Sequence, residues 1–197
     1  NRPVYTENDI NSLPTLKFTA TSSQFLNLPD GTIPYNNSPY TIFIVAKADK
    51  LCGNPGPGEC GLLGGGTTID NQMNGLRYNL AVSGQDKAGF QSQWYTMDAF
   101  TTSSLLTVTS PHIVVSYYNQ KARRIIFNGS EQVMSSGATS YINNQATALN
   151  NFIGRLMGSA QLTGSIGEII IFNRALMAEE IDSIESYLSK KWGIKTS

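Results

Sequence analysis

Charge is what this 197-residue chain has least of. Fourteen Lys and Arg stand against 14 Asp and Glu, which is 14% of residues and a formal net charge of zero, where soluble proteins average about 25%. Phosphate neutralisation needs a basic excess, and a membrane-surface helix needs a Lys/Arg-rich face. With neither present, nucleic acid and membrane are excluded as expected partners. No apolar run approaches the roughly 18 residues of a spanning helix. One histidine and two cysteines are too few for a four-ligand zinc site, and H-E-x-x-H, Walker and nucleophile-elbow motifs are absent. The opening Asn1-Arg2-Pro3 has no initiator Met and no signal-peptide pattern, so the chain reads as a mature or excised fragment.

What replaces charge is neutral hydrogen-bonding capacity: 17 Asn, 20 Ser and 17 Thr. The two cysteines, Cys52 and Cys60, enclose Gly53-Asn54-Pro55-Gly56-Pro57-Gly58-Glu59, a turn-rich loop whose ends can approach disulfide distance. A disulfide or two free thiols, one of them buried, are the alternatives. Low charge, a polar uncharged surface and a staple of this kind point to an oxidising, extracellular setting.

Short stretches rich in β-branched and aromatic residues, separated by Gly/Pro/Asn/Ser clusters, read as strands. The clearest are Tyr40–Ala48, Leu76–Val82, His112–Tyr118, Arg123–Phe127 and Ile166–Phe172. Weaker ones are Leu16–Thr19, Gly61–Gly64, Gly89–Trp94, Leu105–Val108 and Phe152–Arg155. Ten to twelve strands at this spacing predict an all-β, antiparallel two-sheet sandwich or jelly roll. Thr41–Ala46 and Ile166–Phe172 are apolar on both faces, as a central strand covered on both sides would be. One segment differs. Ile181, Ile184, Leu188 and Trp192 recur at helical spacing, with acids in the first turn, Lys190 and Lys191 in the last, and Gly193 placed as the C-terminal stop. This is a single amphipathic helix, with Trp192 as its core anchor. No repeat or linker divides the chain, so residues 1–197 read as one domain.

The C-terminal run Leu162-Thr163-Gly164-Ser165-Ile166-Gly167-Glu168-Ile169-Ile170-Ile171-Phe172-Asn173-Arg174-Ala175-Leu176, followed by Glu180-Ile181, Tyr187-Leu188 and Lys191-Trp192-Gly193, resembles the laminin-G-like branch of the concanavalin A-like lectin/glucanase superfamily. Pro111-His112-Ile113-Val114-Val115-Ser116-Tyr117-Tyr118 through Asn128-Gly129, and Leu26-Asn27-Leu28-Pro29 through Tyr40–Ala46, are similar to two further strands of that family. The resemblance implies a two-sheet jelly roll of about twelve to fourteen strands, commonly a non-catalytic module of secreted, cell-surface or viral proteins. Met177 stands where the family's helix carries a Ser or Thr cap, so the first turn is capped otherwise or frays.

Catalysis by such a fold needs carboxylates facing each other across a cleft. In jelly-roll glucanases they share one strand as E-x-D-x-E, an arrangement missing here. Glu168 is the one acid inside a clear strand. With Ile166 and Ile170 read as its neighbours on the same face, it is expected to bond a nearby group. A lyase of this fold would need a Tyr/His pair with an Arg and an amide. His112, Tyr117, Tyr118, Asn119, Arg123 and Arg124 supply the residue types without the lyase strand motifs. Gly64-Gly65-Gly66 reads as a turn or bulge rather than a phosphate cradle.

Sugar recognition needs an aromatic face, planar amides and carboxylates, often with calcium. Gln91–Asp98 is the richest segment, with Gln93, Trp94, Tyr95 and Asp98 as candidate ligand-binding residues. The competing reading places Trp94 in the core and Tyr95 on a strand surface. Asp70 and Asn71 are the candidate calcium ligands. The expected function is a non-catalytic glycan-binding or adhesion module, at an extracellular, cell-surface or virion location, with a glycan or surface protein as partner. The alternatives are a structural or interaction domain such as a viral decoration or fibre domain, and a polysaccharide-degrading enzyme.

Overall fold

The computed structural model describes residues 1–50, 61–69, 72–79, 88–94, 97–135, 148–156 and 161–197. The expected disulfide partners Cys52 and Cys60, the expected calcium ligands Asp70 and Asn71, and Tyr95 lie outside the described residues.

Along the chain run β1 (Val4–Ile10), β2 (Leu13–Phe18), β3 (Leu26–Asn27), β4 (Tyr40–Ala48), β5 (Gly61–Gly66), β6 (Met73–Asn79) and β7 (Gly89–Gln93). They are followed by β8 (Ala99–Phe100), β9 (Pro111–Tyr118), β10 (Arg123–Phe127), β11 (Ser130–Glu131), β12 (Phe152–Ile153), β13 (Gly164–Phe172) and helix α1 (Ala178–Trp192). Among the described residues they form two antiparallel sheets, a seven-stranded one ordered β1-β2-β13-β4-β9-β10-β11 and a six-stranded one ordered β3-β12-β5-β6-β7-β8. This is the jelly-roll sandwich with one C-terminal helix.

Strand β4 lies at the middle of the seven-stranded sheet, and its pleat explains why it is apolar throughout. Ile42, Ile44 and Ala46 point into the core between the sheets. Phe43 and Val45 point to the opposite face, where Ile181, Leu188 and Trp192 of α1 close a second core. Its neighbour β13 does the same with one interruption. Ile166 pairs with Ala46 and Glu168 with Val45, so a bulge falls at Gly167. One extra residue in a strand reverses which face follows. Ile166, Ile169 and Ile171 therefore pack between the sheets, while Ile170 and Phe172 pack under the helix. The sequence reading that placed Ile166 and Ile170 on one face is corrected by this bulge.

The bulge also docks the helix. A Cβ on Gly167 would lie 2.4 Å from Cη2 of Trp192, so the indole sits where only glycine leaves room. Trp192 Nε1–H donates to Glu168 Oε2 at 2.7 Å, and Lys191 Nζ pairs with the same oxygen at 2.9 Å. At the start of α1, Met177 has no oxygen with which to cap. Glu180 substitutes, accepting from the Met177 backbone N–H at 2.9 Å while Arg174 donates to both its oxygens at 2.8 and 2.6 Å. The Arg174 hydrogen bonds hold the Glu180 carboxyl down at about 2. Gly193, with φ 61°, ends the helix as its spacing predicts.

Two expected strands differ. Leu105–Val108 pairs with no strand. The Leu105 and Leu106 N–H groups both bond to Ala88 O, and Leu106 is buried, so the segment is apolar because it plugs the core. In Phe152–Arg155 only the first two residues belong to a strand, because Gly154 turns the chain at φ 80° and Arg155 makes only an isolated bridge to Gln161. Strand β1 escapes a hydrophobicity reading because it is an edge strand carrying Thr6, Glu7, Asn8 and Asp9, the polar composition that protects an edge.

Candidate functional site

Strand β7 decides the fate of the expected sugar site. Side chains alternate along a strand, so Phe90, Ser92 and Trp94 share one face and Gln91 the other. Phe90 and Trp94 are 0% exposed and belong to the core between the sheets. The Trp94 ring meets Tyr118 edge-on at 4.9 Å and carries the Arg123 guanidinium over its face at 4.0 Å. Arg123, reaching across from β10, also donates to Ser92 O at 3.2 Å and Met97 O at 2.6 Å. Trp94 is thus a structural anchor and not an exposed stacking surface, which corrects its assignment as a ligand contact. Asp98 Oδ1 accepts from the Trp94 backbone N–H at 2.9 Å, tying the end of β7 to the residue before β8. Gln93 closes β7 opposite Gly75.

On the outer face of the six-stranded sheet the register aligns three side chains across three strands: Phe100 opposite Gln91, and Gln91 opposite Arg77. Arg77 donates to Gln91 Oε1 from Nε at 3.0 Å and from Nη2 at 2.8 Å. Burial pushes the Arg77 pKa down, and the charge of Asp98 works against that. Among the described residues no carboxylate forms an ion pair with Arg77. A desolvated cation is therefore held by a neutral amide, with Nη1 bonded to none of the described residues. An aromatic ring, a planar amide and a guanidinium in one row are the groups that recognise a polar ring with an acidic or hydroxyl substituent. Sequence reasoning named the segment containing Gln91 but passed over Arg77 and Phe100.

The same alternation separates the residues that a lyase would need to bring together. His112, Tyr118 and Arg123 point inward, whereas Tyr117 and Arg124 face out on the helix side, with the Arg124 guanidinium 5.6 Å above the Tyr117 ring. A tyrosine does lie beside the imidazole. Tyr78 Oη is 3.1 Å from His112 Nε2, but both are sealed in the core with Phe90 and Phe127 at ring distances of 5.6 Å from His112. The other ring nitrogen, Nδ1, lies 3.2 Å from Ser110 O, so it carries the proton and Nε2 accepts from Tyr78. Burial pushes the His112 pKa down to about 4 and the Tyr78 hydroxyl up. The unfolded chain takes up a proton here near pH 6.5 and the folded one only near 4. Stability contributed by the neutral ring is then complete above pH 6.5 and lost as pH falls from 6.5 to about 4. His112→Leu should flatten the pH dependence of the urea midpoint in that window, and the imidazole NMR signal of the parent protein should show no titration above pH 5.

Among the described residues no three His, Cys, Asp or Glu side chains converge to hold a metal, and no helix is long and apolar enough to cross a membrane. Glu168, the strand acid, is committed to Trp192 and Lys191 as described above.

A search of curated proteins returned no match. Among solved structures, the chain is similar to domain 4 of AbnA, a GH43 extracellular arabinanase from Geobacillus stearothermophilus, in complex with arabinotriose. That likeness has 14% identity and a TM-score of 0.68, covering 94% of this chain and 82% of that one. It is similar as well to the Ruminococcus gnavus IT-sialidase CBM40 bound to α2,3-sialyllactose, with 15% identity and a TM-score of 0.50 over 75% and 83% of the two chains. The NanB sialidase of Streptococcus pneumoniae matches with 14% identity and a TM-score of 0.60, over 93% of this chain but 28% of the larger enzyme. At these identities the likeness shows the shared fold. A sequence profile described as the concanavalin A-like lectin/glucanases superfamily, laminin-G type, matches residues 21–182. The chain therefore belongs to the laminin-G-like family of the concanavalin A-like lectin/glucanase superfamily.

Proposed function

We propose that the chain is a non-catalytic glycan-binding module of a secreted or surface protein, and that it holds an acidic sugar on the outer face of its six-stranded sheet through Arg77, Gln91 and Phe100. Gln93, at the end of β7, and Asp98, just before β8, are proposed as hydroxyl contacts at the edge of the same site. The observation that carries this reading is Arg77 itself, a largely buried guanidinium braced by Gln91 without an ion-pair partner among the described residues. Taking a cation out of water is costly unless a counter-charge compensates, and a sugar carboxylate docked on Nη1 supplies one. Two similar structures of comparable size contain a bound oligosaccharide, which agrees with such a use of the fold.

The test is a panel of neutral and carboxylate-bearing oligosaccharides, measured by calorimetry with and without EDTA. Acidic members should bind, with affinity falling as salt rises. Arg77→Ala should weaken them by roughly tenfold to a hundredfold, the worth of a charge-assisted hydrogen bond, while leaving the urea midpoint little changed. Arg77→Lys should restore only part of the loss, since an ammonium cannot keep both bonds to Gln91. Loss of binding on chelation would support a calcium-dependent site, with Asp70 and Asn71 the proposed ligands. Retention would remove calcium from the account. Silence across the panel would favour a structural or interaction domain, and a cleavage product would overturn the non-catalytic reading.

A further inference from the structure

Between α1 and the outer face of β9–β11 lies a cavity of about 230 Å³, remote from Arg77 in the fold. Its floor is the Tyr117 ring with Ile126, Leu176 and Ile181, and its rim carries Arg124, Glu131, Asp182 and Glu185. Charges on this rim do not cancel. Arg124 pairs with Glu131 at 3.4 Å, whereas Asp182 and Glu185 form no ion pair among the described residues. Glu185 is the unusual member, only 4% exposed. Its Oε1 accepts the Gly129 backbone N–H at 3.1 Å, and its second oxygen has no partner among the described residues. Burial pushes its carboxyl up, and the charge of Asp182 one helical turn away adds to this. A buried carboxylate left in this state is costly without a cation.

We propose that this cavity is a second binding site, distinct from the Arg77 face, that takes a protonated amino sugar. The ammonium would dock against Glu185 and Asp182, and the C–H face of the pyranose would lie on the part of the Tyr117 ring that Arg124, 5.6 Å from its centroid, leaves open. The remaining carboxylate oxygens accept ring hydroxyls, more acceptors than a bare alkylammonium would use. The cavity is below the roughly 300–1,000 Å³ of sites for drug-sized ligands, which suits one ring and not an extended peptide.

The experiment is an ¹H–¹⁵N NMR titration with glucosamine, at a pH where its amine is protonated, with glucose, N-acetylglucosamine and n-butylamine in parallel. Glucosamine should move the Tyr117, Gly129 and Glu185 amides saturably, and each of the other three should bind roughly tenfold or more weakly. Glu185→Gln keeps an acceptor for Gly129 N–H and should weaken glucosamine by a similar factor, with Trp192 fluorescence reporting that the helix is still docked. Asp182→Asn, on the exposed side, serves if that variant fails to fold, and should also weaken binding. Arg77→Ala should leave glucosamine binding intact, which separates this site from the one proposed above. Equal binding of glucose, equal binding of n-butylamine, no response to glucosamine, or indifference to both variants would each overturn the proposal.

Discussion

Trp94→Ala should lower the stability of the domain by about 3–5 kcal/mol, the range for removing a fully buried large aromatic. The indole is 0% exposed, packed edge-on against Tyr118 and lying under the Arg123 guanidinium. Truncation opens a cavity beside a buried cation that has just lost its aromatic partner, so the usual cavity cost is joined by a weaker environment for the charge. Arg123 would still hold Ser92 O and Met97 O, which predicts a folded but weakened domain. Trp94→Phe should cost less, because much of the buried area is kept. The measurement is the urea midpoint with an unchanged denaturant slope. A shift worth less than about 0.5 kcal/mol, the usual range for surface substitutions, would return Trp94 to the surface and to the role of a sugar-stacking residue.

Gly167→Val should cost about 3 kcal/mol, at the upper end for overpacking a filled core. Even a first added carbon would stand 2.4 Å from Trp192 Cη2 and 2.7 Å from Cζ3. Such contact forces the indole off the bulge and breaks its bond to Glu168 Oε2. The helix then loses its anchor on the seven-stranded sheet, so near-ultraviolet circular dichroism and Trp192 emission should change along with the midpoint. Trp192→Leu in the Gly167→Val background should recover part of the loss, because the clash is with the indole. An unaltered midpoint in Gly167→Val would mean that the helix does not sit over the bulge.

The parts of the fold written in local periodicity were legible. β4 was bounded at both ends by its apolar run, and α1 by its stripe from Ile181 to Trp192, its charge order and Gly193. The parts that depend on pairing were not. A bulge at Gly167 is one inserted residue, and nothing in Ile166-Gly167-Glu168 says which face follows until β4 sets the register. Leu105–Val108 has strand composition, yet its first two N–H groups, those of Leu105 and Leu106, go to a single carbonyl on Ala88. The candidate site divides in the same way. Phe90, Ser92 and Trp94 share parity, so the burial of Trp94 was readable once Phe90 was placed in the core. Arg77 sits in a segment read as a strand, but its importance comes from Gln91, 14 residues later, and that partnership exists only in the β6–β7 register.

The most direct test of the account is where an acidic oligosaccharide touches the protein. An ¹H–¹⁵N NMR titration that follows backbone amides and the Arg77 Nε–H together should show saturable shifts at Arg77, Gln91 and Phe100, lost in Arg77→Ala. Shifts confined to other strands, or an Arg77 Nε–H unmoved while the oligosaccharide binds, would contradict it.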